Sequence, residues 1–162
     1  MTNAQDILVK GLLAGFAGTS TFGRAIRGEF TLTSSEVPFT EKGSLYIDQW
    51  IGKRSGGGQE LAQCEDEQIT RVYAGGTVSL EVLTALGIQD SDIMAYLKEK
   101  LMVLSGKTRL STPVDPIVDG DWEYRYDVLY QMSEISLTIG KEIIMYKSTP
   151  VFIHIFLNSP VL

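Results

Sequence analysis

The chain has 162 residues, 44% of them hydrophobic and 21% charged, which are values of a folded rather than a disordered chain. That length suits a single domain, 1–162, with enough interior for a hydrophobic core. The formal charge of −6 repels a phosphate backbone, and the largest basic cluster is the pair Lys53-Arg54, so nucleic acid is excluded as an expected partner.

Cys64 is the only cysteine, which rules out an intramolecular disulfide and fits a reducing compartment. The amino terminus, Met-Thr-Asn-Ala-Gln-Asp, lacks the basic segment of a secretory signal. No apolar run approaches the roughly 18 residues needed to cross a bilayer. The expectation is a soluble cytoplasmic chain without a membrane partner.

Leu8, Leu12 and Phe16 recur at helical spacing and predict a helix over 4–16, with Asn3 as its N-cap and Asp6 in the first turn. Gly11 and Gly15 weaken that helix and make sense if another backbone packs closely there. Residues 18–23 break the pattern. The chain then reads as extended over 27–33, followed by a turn or loop at 34–38. A strand over 45–51 places Tyr46, Asp48 and Trp50 on one face and Leu45, Ile47 and Gln49 on the other. Residues 52–58 hold four glycines and read as a flexible connection. A hairpin of 60–65 and 69–73 follows, ended by Gly75-Gly76.

Ser79 caps a helix over 80–86 that Gly87 stops, and a second helix runs from Asp90 to about Leu104. Its apolar stripe is Ile93, Met94, Leu97, Leu101 and Leu104. Pro113 and Pro116 predict a loop leading into a terminal meander over 120–157. There Trp122, Tyr124, Tyr126, Val128 and Tyr130 alternate with Glu123, Arg125 and Asp127. Three further apolar runs, 135–139, 143–146 and 151–157, read as separate strands. The pattern is α+β, without the βαβα alternation of a parallel sheet. The expected architecture is a strongly curved, mainly antiparallel sheet, half-barrel-like, with an N-terminal helix and a central helix pair packed on it.

Several chemistries fail on residue counts. One Cys and one His cannot build the usual zinc cages, and Glu65, Asp66 and Glu67 read as a solvated hairpin tip, so no metal and no cofactor is expected. Gly106-Lys107-Thr108 has the tail of a phosphate-binding loop, but Leu101 stands where its first glycine belongs. Residues 18–23 lack the G-x-S-x-G spacing, because Phe22 occupies the fifth place, where the motif counted from Gly18 needs its second glycine. Cys64 reads as small core filler. His154 reads as a core-edge histidine bonded to a backbone carbonyl. Glu123, Arg125 and Asp127 face solvent if the meander is wet on one side. If the sheet curls, they line a polar cavity with Asp48 and Arg71.

Tyr46-Ile47-Asp48-Gln49-Trp50-Ile51-Gly52, Gly58-Gln59-Glu60, Tyr73-Ala74-Gly75-Gly76, Tyr96-Leu97 and Gly120-Asp121-Trp122-Glu123-Tyr124 occur in the order seen in a bacterial domain of unknown function. The chain resembles that domain from Tyr46 onward. The domain occurs alone or behind a DNA-binding helix-turn-helix in regulator-like proteins, and only one short helix is expected upstream here. The resemblance implies a regulatory setting and lends no catalytic residues, since the family has no established activity.

A curved sheet rich in Tyr and Trp, with few nucleophiles, points first to a non-enzymatic domain that binds a small molecule or a partner. The candidate anchors are Tyr46, Asp48, Trp50, Glu60, Arg71, Tyr73, Trp122, Tyr124 and Arg125. The alternative is a carboxylate enzyme with Asp48 or Glu60 as general base and Arg71 or Arg125 stabilising an anion. A third reading is a homo-oligomer paired through an exposed edge strand at 151–157, limited at its end by Pro160.

Overall fold

In a computed structural model of the chain, residues 2–18, 22–39 and 43–161 are described. They form three α-helices and nine strands: α1 (Ala4–Ala14), β1 (Gly23–Arg27), β2 (Phe30–Pro38), β3 (Leu45–Gly52), β4 (Ser55–Cys64), β5 (Glu67–Thr77), α2 (Leu80–Leu86), α3 (Asp90–Val103), β6 (Val114–Asp119), β7 (Trp122–Met132), β8 (Leu137–Tyr146) and β9 (Thr149–Pro160). All nine strands belong to one antiparallel sheet in the order β1-β2-β3-β4-β5-β9-β8-β7-β6. The sheet is therefore two meanders, β1–β5 and β6–β9, joined where β5 pairs with β9. It does not close, since β1 and β6 stand at opposite edges of the strand order. No described helix is long and apolar enough to cross a membrane.

The helices start where their capping residues place them. The Asn3 side chain accepts from the Asp6 amide at 2.9 Å, and the Asp6 carboxylate accepts from the Asn3 amide at 3.1 Å, a reciprocal cap. Ser79 caps α2, and Gly87, left-handed at φ 74°, ends it. α1 stops at Ala14, two residues short of the predicted end. Ile7 and Leu8 of α1 pack with Tyr46, Ala62 and Cys64 of β3 and β4. Gly11 admits the Tyr46 ring, so a side chain rather than a backbone makes the close approach there. Leu83 of α2 and Ile93, Leu97 and Leu101 of α3 share a second cluster with Tyr124, Ile144, Val151 and Phe152 of β7–β9.

Several predicted boundaries are corrected. Residues 34–38 are strand, not loop: β2 pairs with β3 as far as Pro38↔Leu45, where a proline at the strand end costs no ladder bond. The glycine-rich stretch 52–58 is a tight hairpin, in which Gly52 pairs with Gly56 and only Lys53 and Arg54 lie outside strands. Gly75 and Gly76 lie inside β5, which runs on to Thr77. Pro116 lies inside β6 at an irregularity in its pairing with β7, on the sheet's edge where a missing N–H is tolerated.

The stretch 120–157 holds three strands, β7 to β9, not four. Residues 135–139 and 143–146 were expected as separate strands, but β8 runs unbroken through Gly140. Gly140 is there for space: a Cβ would lie 1.9 Å from the Tyr126 hydroxyl. The expected edge strand at 151–157 is interior, bonded to β5 on one side and β8 on the other, and it continues to Pro160.

Gly140→Ala should cost about 1–3 kcal/mol in urea unfolding, the usual penalty of overpacking. In a Tyr126→Leu background the same substitution should cost clearly less. An equal cost in both backgrounds would show that the Tyr126 ring is not what excludes a side chain at position 140.

Candidate functional site

Strand alternation turns one face of the sheet toward the helices, and that face is polar across its middle. Asp48 of β3, Glu60 of β4, Arg71 of β5 and Glu142 of β8 are all buried, as is Arg109 from the segment after α3. Asp48 and Glu60 are direct cross-strand partners, as are Glu60 and Arg71. Opposite charges in register attract and like charges repel, so the Glu60–Arg71 pairing is favourable while Asp48 beside Glu60 is not.

Two ion pairs form. The Arg71 Nη2 donates to Glu60 Oε1 at 2.6 Å, and its Nε donates to Glu60 Oε2. The Tyr46 hydroxyl donates to the same Oε1 at 2.6 Å. Arg109 forks onto Glu142 at 2.9 and 2.7 Å, and the Tyr124 hydroxyl donates to Glu142 at 2.8 Å. The Thr108 hydroxyl lies 2.6 Å from that of Tyr124. Arg109 adopts a left-handed backbone at φ 61°, strained for a residue with a Cβ. Its carbonyl accepts from Arg71 Nη1 at 3.4 Å and from Asn158 Nδ2 at 3.1 Å, and its guanidinium lies 4.7 Å from the Phe156 ring centroid. These contacts hold the strained residue in place and connect the two ion pairs.

Among the described residues Asp48 has no cationic partner, and its one hydrogen bond there comes from the Tyr73 hydroxyl at 2.9 Å. Tyr73 sits on β5 and crosses over β4 to reach it, a path that Gly58 leaves open, since a Cβ there would lie 2.6 Å from the hydroxyl. Burial raises the Asp48 pKa from 3.8 to about 7, and the Glu60 charge adds to the rise; the Tyr73 bond, Arg71 and Arg109 oppose it. Glu60 is the contrast. Burial would raise it too, but Arg71 pulls it below its ordinary value.

A cavity of about 100 Å³ opens over these groups. Asp48, Glu60, Tyr73, Arg109 and His154 supply its polar side, and Leu12, Phe16, Met94, Leu97 and Phe152 its apolar side. Trp50 and the 52–57 hairpin, with Lys53 and Arg54, form its rim. The His154 ring lies among Tyr73, Phe152 and Phe156, with centroids 5.6, 4.4 and 5.7 Å away. Burial lowers its pKa to about 4, so it is neutral at pH 7. Among the described residues the expected bond from His154 to a backbone carbonyl is not found. Cys64 lies eight residues from Gly56 on β4, and Gly56 pairs with Gly75, the partner of His154. That spacing separates Cys64 from His154 by roughly 25 Å along the strands, so they form no catalytic pair.

Of the candidate anchors, Tyr46, Glu60 and Arg71 meet in one hydrogen-bonded group, Asp48 and Tyr73 bond to each other beside it, and Trp50 stands at the rim. Tyr124 belongs to the Glu142 arm and does not line the cavity. Trp122 stacks between Tyr96 and Tyr146, at 5.1 and 4.6 Å, away from the cavity. Arg125 lies on the opposite face with Glu123 and Asp127, so that triplet does not join Asp48 and Arg71. Sequence reasoning missed Arg109, Thr108, Glu142 and Asn158. Reading 137–146 as one strand would have put Glu142 on the face of Ile144, as a lone acid among apolar neighbours. Among the described residues no group of three or more His, Cys, Asp or Glu is placed to hold a metal ion.

Comparison with protein-family models, with curated proteins and with solved structures gives no significant match.

Asp48 and His154 have opposite effects on stability. A folded-state carboxyl titrating at about 7 keeps a proton that the unfolded chain has lost, so its contribution falls as pH rises from about 4 to about 7. A histidine held neutral down to about 4 loses stability as pH falls from 6.5. The two largely cancel between those limits. Asp48→Asn should therefore gain on the parent chain by on the order of 3 kcal/mol between about pH 4 and about pH 7, measured by urea unfolding. A pH-independent difference would contradict the raised Asp48 pKa.

Proposed function

We propose that the chain is a small-ligand-binding domain of regulatory type, with the ligand held in the cavity beside Asp48. The observation that carries this reading is the cavity's composition: apolar and aromatic walls converge on a few fixed polar groups. The resemblance to the bacterial regulator-associated domain from Tyr46 onward supports the regulatory setting. We also infer that the sheet wraps around its helices as a half-barrel. In favour of this, Arg109 bonds Glu142 on β8 while its carbonyl accepts from Arg71 on β5, and α1 contacts β3, β4 and β5.

A second reading, an enzyme, draws on one observation. A carboxyl with a pKa of about 7 suits general acid–base work near neutrality. In that reading Asp48 alone is the base. Glu60 is committed to Arg71 and Tyr46, and Arg125 lies on the other face.

The test is native mass spectrometry of the freshly purified chain and of Met94→Trp, which fills the cavity from α3. An extra mass of small-molecule size should accompany the parent chain, vanish on denaturation and be absent from the folded variant. The same extra mass on both proteins would place the ligand elsewhere. A bare parent chain that no member of a ligand screen stabilises would contradict the binding reading.

A further inference from the structure

Among the described residues the buried polar layer has an odd number of charges. Glu60 is matched by Arg71 and Glu142 by Arg109, and Asp48 is left as the third carboxylate against two guanidiniums. An ionised carboxylate without a cation is costly in such a place. Asp48 is only 3% exposed, yet it borders the cavity. Tyr73 occupies its Oδ1, which leaves Oδ2 without a described protein partner.

We propose that the molecule held in this cavity presents a cationic nitrogen, an ammonium or amidinium group on a compact apolar body, to the Asp48 carboxylate. This assignment rests on the ligand-binding reading above. The rest of the lining fits such a group. Tyr73, His154, Phe152 and Trp50 bring aromatic rings to the same space, and ring faces attract cations. Arg71 and Arg109 already lie over the Phe156 ring, 5.7 and 4.7 Å from its centroid. His154 also faces the space, is uncharged at pH 7 and does not compete for the carboxylate, while Glu60, which faces it too, is bound to Arg71 and Tyr46. Arg109 also borders the cavity, but its Nε and Nη2 are bound to Glu142, and that pair is neutral as a unit. Lys53 and Arg54 stand on the exposed rim, where salt screens their repulsion. The formal charge of −6 on the whole chain favours the approach of a cation.

The cavity of about 100 Å³ limits the buried part of the ligand to less than the benzene that a roughly 150 Å³ cavity accepts. A branched four-carbon body fits that limit. The probes are therefore isobutylammonium, isobutanol and isobutyrate, which share a shape and differ in charge. Each is titrated against the full chain to about 50 mM, because ligands of so few atoms bind weakly. The readout is the indole N–H chemical shift of Trp50 at the rim, with Trp122 outside the cavity as the internal reference.

At about pH 8, isobutylammonium should bind at least tenfold more tightly than isobutanol, and Asp48→Asn should abolish that preference. The apparent affinity of isobutylammonium should fall about 30-fold between pH 8 and pH 5.5 as Asp48 takes up its proton with a midpoint of about 7, while that of isobutanol stays level. If Asp48→Asn does not fold, this pH series on the parent chain makes the same discrimination. Isobutanol or isobutyrate binding as tightly as the ammonium would overturn the charge assignment and leave the cavity reading intact. No shift at Trp50 with any of the three would overturn both.

Discussion

Two buried guanidinium–carboxylate pairs hold the structure's parts to one another. Glu60–Arg71 lies within the first meander, and Arg109–Glu142 binds the segment after α3 to the second. The Arg109 carbonyl joins them by accepting from both Arg71 and Asn158. Buried pairs add little net stability, because desolvation offsets the attraction, yet removing one partner leaves a buried charge that costs about 3–5 kcal/mol. The arrangement is therefore selective more than stabilising: a register slip in β4, β5 or β8 would strand one of these charges. Asp48 stands outside both pairs, and the candidate site is built around it.

Three tyrosines shape the space around these charges, and each depends on a glycine. Tyr46 packs on Gly11 of α1, Tyr73 crosses β4 at Gly58, and Tyr126 crosses β8 at Gly140. A ring laid across the neighbouring strand fills the layer between sheet and helix. Its hydroxyl then reaches a polar group two strands away, as Tyr73 reaches Asp48. Glycine, which is usually destabilising inside a strand, is thus the residue that lets the polar layer form.

Parts of this arrangement were legible in the sequence. The period-two alternation of 45–51 put Tyr46, Asp48 and Trp50 on one face, and the caps at Asn3 and Ser79 marked where α1 and α2 begin. Glycine misled the reading at 52–58, 75–76 and 140, since a glycine that ends a strand and one that admits a neighbouring ring look alike in one dimension. The split at Gly140 hid Glu142 and thus half of the second ion pair. Arg109 left no periodic signal, because it lies in irregular chain and gains its role from strand order. The same missing order made 151–157 look like an edge, although β9 occupies the seam between the meanders. Arg125 and Trp122 were drawn into the candidate site by residue type alone, and their positions on the sheet exclude them from the cavity.

The claim on which the account turns is that Asp48 is the uncompensated carboxylate of a buried, otherwise paired layer. Carbon-detected NMR of the Asp48 side-chain carboxyl, followed from about pH 4 to about pH 9 in the folded chain, tests it directly. The account expects a midpoint near 7, far above the ordinary 3.8. A midpoint at or below 3.8 would mean that Asp48 is already matched by a cation or fully hydrated, and the site as described would not exist.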